Sequence, residues 1–264
     1  MALMHVDFFS DVLGMSMNMD VILPQQTHGQ IGMEGRNTKG RYKTIYLLHG
    51  MSDDHTIWQR RTSIERYVSD LGIAVVMPTT HLAFYTDTRY GMRYWTFISE
   101  ELPAICREFF PNMSDKKEDT LAAGLSMGGY GAWKLALGAS DTFGAAASLS
   151  GALDIVSDYH RSLQDDNPHA KASFAATFGS PEDLQGSDNE LFVLADKLAA
   201  GKEELPRLYA WCGTEDFLYE GNLRAWDYVK KLGYPLTCEQ SEGDHQWKYW
   251  DAKIQDVLKW WLEQ

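Results

Sequence analysis

A serine flanked by two glycines lies near the centre of the sequence, in Gly124-Leu-Ser126-Met-Gly128. The pattern Gly-x-Ser-x-Gly is typical of a sharp turn between a strand and a helix, on which the serine side chain stands clear of the backbone. Side chains at the two glycine positions would collide with such a strained turn. An apolar run before the motif and helical spacing over 130–137 favour this interpretation over a chance match. Ser126 is therefore predicted to be an activated nucleophile.

The predicted nucleophile needs partners, because a serine hydroxyl reacts poorly at neutral pH unless a base takes its proton and an acid holds that base. With this kind of turn the three groups follow the order serine, acid, histidine along the chain. His160 and His169 follow Ser126 but precede the strand that we expect to carry the acid. His245 lies in a polar loop after the last predicted strand, and we predict that it is the base.

The acid is predicted from its place after a strand. Asp216 follows the apolar run 208–212 through a glycine turn, from which its side chain can reach the histidine loop. Glu215 is its neighbour, and a turn could present either carboxylate. Asp244 adjoins the predicted base and Asp154 follows the preceding strand, so both stay as alternatives to Asp216.

The tetrahedral oxyanion of acyl transfer needs two backbone N–H donors. One is the residue after the nucleophile, Met127, at the positive N-terminus of the helix. The other comes from the loop after the third strand, where His49-Gly50 forms a tight turn that exposes the amide of Met51. His49 itself is interpreted as a buried structural histidine.

Substrate contacts are predicted from residues close to these positions. Gly50, Trp95 and Tyr130 are assigned to substrate binding, since aromatic side chains here are suited to wall an acyl or alcohol pocket. The run 53–55, Asp-Asp-His, could suggest a metal site, but its spacing is not a known ligand signature. Neither a metal nor a cofactor is expected.

Composition limits the partners of the chain. Its 264 residues include 37 acidic and 24 basic side chains, which gives a net charge of −13. Nucleic acid and anionic membranes both require a positive face, so we expect neither as a partner and predict a small-molecule ester substrate instead. The pair Trp260-Trp261 places at least one indole outward, which allows a homo-oligomer contact or a buried cap.

The expected compartment is the cytoplasm. The N-terminus has no basic region followed by an apolar stretch and a small-residue cleavage site, and no apolar run reaches about 18 residues. Cys106, Cys212 and Cys238 are scattered and odd in number, which favours reduced thiols over a disulfide framework or a zinc site.

Alternating strands and helices predict an α/β fold with a mostly parallel sheet, helices on both faces and a functional site at the carboxyl ends of the strands. An antiparallel strand pair is expected at the N-terminus, over 5–10 and 17–23. The chain is predicted to be one domain, 1–264, with an irregular, cap-like insertion at about 154–191. The remaining strands are predicted at 42–48, 72–78, 121–123, 143–149, 208–212 and 236–240, and the helices at 57–71, 95–109, from about 129, 191–200, 222–232 and 249–262.

Four motifs in order resemble one family. His49-Gly50-Met51-Ser-Asp-Asp, Gly124-Leu-Ser126-Met-Gly128-Gly-Tyr-Gly-Ala, Gly213-Thr-Glu-Asp216-Phe and Gly243-Asp-His245-x-Trp247 are similar to motifs of the esterase D, or putative-esterase, family of α/β-hydrolases, nearest to the bacterial tributyrin esterases. The resemblance implies a cytoplasmic serine carboxylesterase that favours short acyl chains. It also implies a triad of Ser126, Asp216 and His245, with the Met51 and Met127 amides as the oxyanion hole.

The sequence therefore predicts a serine carboxylesterase that hydrolyses short-chain, tributyrin-like esters through an acyl-enzyme. Within the family, S-formylglutathione hydrolases and acetyl or feruloyl carbohydrate esterases are the alternatives. A non-catalytic binding protein that keeps the hydrolase fold is the alternative from another class, although Ser126, Asp216 and His245 are all present in the chain.

Overall fold

The structure, a computed structural model, describes residues 1–37, 40–164, 168–201 and 204–263. In these residues eight strands form one sheet in the order β1-β2-β4-β3-β5-β6-β7-β8. The strands are β1 (Ala2–Ser10), β2 (Met15–Leu23), β3 (Thr44–Leu48), β4 (Ala74–Pro78), β5 (Thr120–Leu125), β6 (Ala145–Leu149), β7 (Arg207–Gly213) and β8 (Leu236–Ser241). Each predicted strand is present, with ends shifted by a few residues.

The helices lie in the connections between these strands. They are α1 (Ile57–Arg61), α2 (Ile64–Tyr67), α3 (Tyr94–Thr96), α4 (Leu102–Phe109), α5 (Met127–Gly138), α6 (Ile155–Gln164), α7 (Pro168–Phe178), α8 (Pro181–Leu184), α9 (Leu191–Ala199), α10 (Tyr219–Lys231) and α11 (Trp247–Leu262). A π-helical turn, Phe97–Glu101, joins α3 to α4.

The single helix predicted over 57–71 is wrong, because the structure breaks it into α1 and α2. The hydroxyl of Thr62 donates to the carbonyl oxygen of Trp58 and also accepts from the amide of Ile64. A threonine that bonds to nearby backbone in this way competes with the helical ladder. The apolar spacing persists through the break, which is why periodicity alone did not reveal it.

The centre of the sheet is parallel and buried on both faces. Strands β3 to β8 pair in parallel, and every residue of β3, β4, β5 and β6 is buried. Strands buried on both faces form continuous apolar runs, and helices cover both sides. One core cluster includes Trp133 and Phe143, and the other, on the opposite face, includes Trp211 and Trp261. The predicted α/β architecture is confirmed.

The N-terminal strand pair is antiparallel, as predicted. All nine residues of β1 pair with β2, from Ala2 opposite Leu23 to Ser10 opposite Met15. Gly14 in the connecting turn has φ of 67°, a conformation that favours glycine. β2 then joins the sheet by antiparallel pairing with β4.

Between residues 154 and 191 the structure has three helices, α6, α7 and α8, where the sequence predicted an irregular segment, so that expectation is wrong. A capping box on Ser180 and Asp183 begins α8. Such a cap lets a helix of four residues begin without a long apolar stripe. The Asn167 position, which contributed to that expectation, lies outside the described residues.

The two tryptophans near the C-terminus cap the sheet beside β7 and β8. Trp261 is fully buried. Trp260 donates to the hydroxyl of Thr237 at 3.1 Å, and its ring lies 5.4 Å from that of Tyr209. Trp261 thus fits the alternative of a buried cap, whereas Trp260 keeps part of its surface exposed. No helix within the described ranges combines the length and the apolar character that crossing a membrane requires.

Candidate active site

The predicted nucleophile lies on a sharp turn between β5 and α5. Ser126 has φ of 52° and ψ of −120°, and its amide donates to the carbonyl oxygen of Leu149 at 3.0 Å. A Cβ at Gly124 would lie 2.5 Å from the backbone of Gly128, and one at Gly128 would lie 2.5 Å from the carbonyl oxygen of Leu48. Both distances are too short for real contacts, so only glycine fits either position. The turn has the strained geometry expected of a nucleophile elbow.

The predicted oxyanion loop packs directly against this turn. A Cβ on Gly50 would lie 3.7 Å from the Cβ of Ser126 and 2.6 Å from Leu125. The loop turns through a hydrogen bond from the amide of Asp53 to the carbonyl of Gly50, with Ser52 at φ of 71°. Met51 thus lies at the second position of a β-turn, where its N–H takes no part in the turn's own hydrogen bond.

The second predicted donor is fixed by the helix. Met127 is the first residue of α5, and the first N–H groups of a helix have no acceptor within it. The dipole of α5 adds positive potential at the same point. The structure therefore brings Ser126, Gly50 and the two predicted donor residues to one edge of the sheet.

His49 stabilises the predicted oxyanion loop through hydrogen bonds of its ring and its carbonyl group. Its Nδ1 donates to the carbonyl oxygen of Gly50 at 2.7 Å, and its Nε2 accepts from the amide of Thr80 at 3.1 Å. The hydroxyl of Tyr85 donates to the carbonyl of His49. Burial lowers the pKa of His49 to about 4, so the ring is neutral and holds the tautomer that these bonds require. This geometry agrees with the structural role interpreted from the sequence.

The predicted base and acid are in contact. Nδ1 of His245 lies 2.8 Å from Oδ2 of Asp216, whose side chain is fully buried. The other carboxylate oxygen of Asp216 accepts from the amide of Leu218 at 2.9 Å. Because an ionised carboxylate only accepts hydrogen bonds, Nδ1 carries the proton and Nε2 is the basic nitrogen. The pair can therefore accept a proton from a nearby hydroxyl.

Two loops that follow β7 and β8 hold this pair. A Cβ on Gly213 would lie 2.0 Å from the carbonyl oxygen of Gly243, so the loops touch backbone to backbone. Glu215 ties them together, since it accepts from the amide of Gly243 at 2.6 Å and donates its own amide to the Gly243 carbonyl. The hydrogen bond from Gly243 holds the pKa of Glu215 below its usual value.

Two aromatic rings enclose the imidazole of His245. The ring of Phe217 lies 4.5 Å from it, tilted by 46°, and the ring of Trp250 meets it edge-on at 4.8 Å. Neither residue has a role predicted from the sequence. Two signals were available, since Phe217 closes the motif Gly213-Thr-Glu-Asp216-Phe and Trp250 comes five residues after the predicted base.

The loop after β6 connects the serine to the histidine. The carbonyl of Ser126 accepts from the amide of Ala152, and Ser150, at φ of 48°, donates its amide to the carbonyl of Trp211. Nε1 of Trp250 then donates to the hydroxyl of Ser150 at 3.2 Å. One short loop thus bonds to the serine turn on one side and to the tryptophan beside the imidazole on the other.

The alternative acids are engaged elsewhere. Glu215 bonds to the loop backbone, as described above. Asp154 accepts from Nε of Arg224 at 2.7 Å, and Asp244 accepts from the side chain of Gln246. Asp216 is the carboxylate that the structure places on the imidazole.

Two of the predicted substrate-binding residues, Tyr130 and Trp95, pack against other parts of the chain. Tyr130 is fully buried, and its hydroxyl donates to the carbonyl of Asn189. Trp95 packs beside Gly138 and Lys134 on α5. Gly138 is twelve residues beyond Ser126, or about 18 Å along a helix. The contacts of Trp95 thus lie at the far end of α5 from Ser126, the Tyr130 ring packs against Phe84 and Phe178, and Gly50 lies beside the serine turn.

The sequence raised a metal site at 53–55, beside the oxyanion loop, as an alternative that we did not expect. Across residues 1–37, 40–164, 168–201 and 204–263, the structure has no group of three or more His, Cys, Asp or Glu side chains placed to hold a metal ion. Asp53 lies near the oxyanion loop, and burial raises its pKa to about 6. Asp54 instead accepts from the amide and hydroxyl of Thr56, at the start of α1.

Comparison with known proteins connects this geometry to a family. The sequence profile of the Esterase family, described as "Putative esterase", matches residues 10–261. An acetyl esterase of Caldicellulosiruptor saccharolyticus is 31% identical over 266 residues, which cover 98% of each chain.

Solved structures agree in fold over nearly the whole length. The substrate-bound fluorophosphonate-binding serine hydrolase F of Staphylococcus aureus is 35% identical, covers 98% of each chain and has a TM-score of 0.84. The S-formylglutathione hydrolase of Staphylococcus aureus, solved as the apoenzyme, is 34% identical over 98% of each chain with a TM-score of 0.83. The α/β-hydrolase fold expected from the sequence is confirmed.

Proposed function

The chain belongs to the Esterase family of serine hydrolases, and from that premise we propose that it hydrolyses small, short-chain acyl esters through a Ser126, His245 and Asp216 triad. The observation that carries the proposal is the 2.8 Å contact between Nδ1 of His245 and the buried carboxylate of Asp216. That pair lies on the edge of the sheet where the strained turn presents Ser126. We also propose that residues 1–264 form one domain, with a cap-like insertion at about 154–191.

In the proposed mechanism, Nε2 of His245 takes the proton of Ser126 as the hydroxyl oxygen attacks the ester carbonyl. The oxyanion that forms accepts hydrogen bonds from the amides of Met51 and Met127. Asp216 stabilises the imidazolium and fixes its tautomer. The protonated imidazole then gives its proton to the leaving alcohol, and an acyl-enzyme remains.

Water completes the cycle. His245 takes a proton from the water molecule, and the resulting hydroxide attacks the acyl carbon at the same oxyanion site. The second tetrahedral intermediate collapses, the proton returns to the Ser126 oxygen, and the carboxylic acid leaves. Every proton transfer uses the chain's own side chains, so the proposal requires no cofactor.

The acyl group is proposed to be short, with acetyl and butyryl esters as substrates. Support comes from the relative named as an acetyl esterase. Thioester hydrolysis is a second candidate, because a relative of 34% identity is named as an S-formylglutathione hydrolase. Rates on acetyl, butyryl and decanoyl p-nitrophenyl esters, tributyrin and S-formylglutathione, measured side by side, would distinguish the two.

Substitution of the proposed nucleophile tests the mechanism. Ser126→Ala is expected to lower kcat on p-nitrophenyl acetate by about 10⁶-fold, since no other group can form the acyl-enzyme. It should also abolish labelling by a fluorophosphonate probe. The exposed Ser16 on β2 provides the matched control, and Ser16→Ala is expected to keep both properties. Wild-type turnover in the Ser126→Ala protein would contradict the proposal. A wild-type chain that neither turns over any ester nor reacts with the probe would instead support the non-catalytic alternative.

We also propose a cytoplasmic location. The support is that Cys106, Cys212 and Cys238 are all free thiols in the structure. Proteins of oxidising compartments more often use such residues in disulfides. Fractionation of the native cells, followed by detection of the chain, would test this location.

A further inference from the structure

The two edges of the sheet differ in how their outer strands are covered. At β8, side chains of α11 bond to the strand, with Lys253 donating to Glu239 and Trp260 to Thr237. At the other edge, β1 has β2 as its one sheet neighbour among the described residues. The outer side of an edge strand presents unpaired N–H and C=O groups, which form a template for another strand.

β1 lacks several of the devices by which edge strands usually avoid such pairing. Its sequence over Ala2–Ser10 contains no lysine, proline or glycine, and its pairing with β2 is continuous over nine residues without a bulge. Leu3 is 38% exposed and Phe9 is 60% exposed, although both are large apolar side chains. The edge is therefore long, regular and partly apolar.

The exposed residues of β1 form a pattern that is complementary to itself. Leu3, His5, Asp7 and Phe9 alternate along the strand and share the exposed face, with an apolar residue at each end and two polar residues between, of which His5 bonds to Asp20 and Asp7 to Asn18 on β2. Val6 lies at the centre of the strand. If a second β1 runs antiparallel about a two-fold axis at Val6, residues that face each other have numbers that sum to twelve.

That register matches the four alternating exposed side chains. Leu3 faces the partner's Phe9, and His5 faces the partner's Asp7, each pair occurring twice by symmetry. A shift by one position of the axis toward the N-terminus would place His5 opposite itself, and a shift toward the C-terminus would place Asp7 opposite itself. Apolar pairs across strands stabilise a sheet, whereas like charges, such as two Asp7 carboxylates that face each other, destabilise it.

We propose that β1 is a homodimer interface, at which β1 of a second copy of this chain pairs antiparallel about Val6. The pairing also covers the opposite face of the strand, where Met4 would meet the partner's Phe8. Both sheets then join into one continuous sheet, a mode of association in which main-chain hydrogen bonds supply affinity and side chains supply register. Three strands separate β1 from β5, so the serine turn lies outside the interface.

The test uses two exposed positions whose replacement leaves the core untouched. Leu3→Lys and Phe9→Glu each place one charge opposite an apolar side chain at two symmetric points, which should weaken dimerisation about tenfold or more. Mixed in equal amounts, the two variants should form a heterodimer, because the introduced lysine of one chain faces the introduced glutamate of the other. Sedimentation velocity over a range of concentrations measures all four samples, including the wild type.

The expected result is a wild-type dimer, or a multiple of it, that dissociates in each single variant and re-forms in the mixture. Ester hydrolysis per chain should be the same in all samples. A wild-type chain that stays monomeric at about 100 μM would overturn the proposal, given that specific interfaces have lower dissociation constants. Assembly that neither variant weakens, or that the mixture fails to restore, would also overturn it, since either result places the interface or the register elsewhere.

Discussion

The two halves of the candidate site are built in different ways. The nucleophile half, residues 49–51 and 124–128, is held by backbone packed against backbone, and its glycines are positions where a Cβ would overlap main-chain atoms or Leu125. The acid–base half, residues 213–217 and 243–245, also has one such backbone contact, at Gly213. Its functional groups, however, are positioned by side-chain hydrogen bonds and by the rings around His245.

Because of this difference, the two halves should be sensitive to different kinds of substitution. The nucleophile half presents amides, whose positions depend on the path of the main chain, so an added methyl group should disturb it. The acid–base half presents titratable side chains, whose properties depend on charge and hydrogen bonding, so an isosteric change of charge should disturb it most. Four substitutions test this contrast.

The largest of these four effects is expected in the acid–base half. Asp216→Asn keeps the shape of the side chain but removes the charge that fixes the imidazole tautomer, and kcat should fall by about 10⁴-fold. Steady-state kinetics on p-nitrophenyl acetate would measure the change. Asp154→Asn is the matched control, because that carboxylate bonds to Arg224. A greater loss in Asp154→Asn than in Asp216→Asn would mean that the acid is misassigned.

The next effect is expected in the nucleophile half. Gly128→Ala places a methyl group within 2.5 Å of the Leu48 carbonyl oxygen, which forces the oxyanion loop and the serine turn apart. Displacement of one oxyanion donor costs about 10²- to 10³-fold in kcat, and we expect a loss near the upper value.

The control for that substitution is another glycine. Gly29 has open space around its Cβ position, so Gly29→Ala should keep wild-type kinetics. Circular dichroism and thermal unfolding would establish that the Gly128→Ala chain is folded before its rate is compared. A folded Gly128→Ala protein with the wild-type rate would show that the serine turn accommodates the methyl group, and would contradict the expected sensitivity of the nucleophile half to added methyl groups.

A stability effect is expected from His49. Its pKa is 6.5 in an ordinary setting and about 4 in the folded chain, because burial disfavours the charged ring. The unfolded chain therefore binds a proton between these pH values while the folded chain does not. This contribution to stability is present above pH 6.5 and is lost as the pH falls toward 4, by about 3 kcal/mol.

The pH dependence of unfolding by urea would measure this contribution. His49→Gln removes the titrating group, so its free energy of unfolding should fall less steeply than that of the wild type between pH 6.5 and 4. His28→Gln, at an exposed position, is the control and should keep the wild-type slope. Equal slopes in the His49→Gln protein and the wild type would contradict a buried neutral ring.

The smallest effect is expected from Phe217, whose ring lies 4.5 Å from the imidazole. Phe217→Leu removes a planar contact but keeps the hydrogen bond to Asp216, so kcat should fall by about tenfold through looser positioning of the base. Phe109→Leu replaces an exposed ring on α4 and serves as the control. A change in KM alone would indicate that Phe217 contacts substrate and does not position His245.

Much of the fold was accessible from the sequence. The strands could be predicted because buried parallel strands form continuous apolar runs, as in Ala74–Pro78. The break after Arg61 could not, since a single threonine hydroxyl decides it while the apolar spacing continues. The sequence did not predict α6, α7 and α8, and for α8 the reason is the opposite one, because a local capping box begins a helix of four residues, which is too short to show a periodic pattern.

The sequence by itself determined the serine turn and the order of the predicted groups, because a Gly-x-Ser-x-Gly turn is a local constraint that a few consecutive residues impose on the backbone. Only the tertiary structure decided which carboxylate meets His245, which rings enclose it, and that Tyr130 is buried. Those contacts depend on the register of β7 against β8, which sets Gly213 opposite Ser241 and so fixes how the two following loops meet. Such a register is a property of strands paired across the sheet, and no local stretch of sequence specifies it.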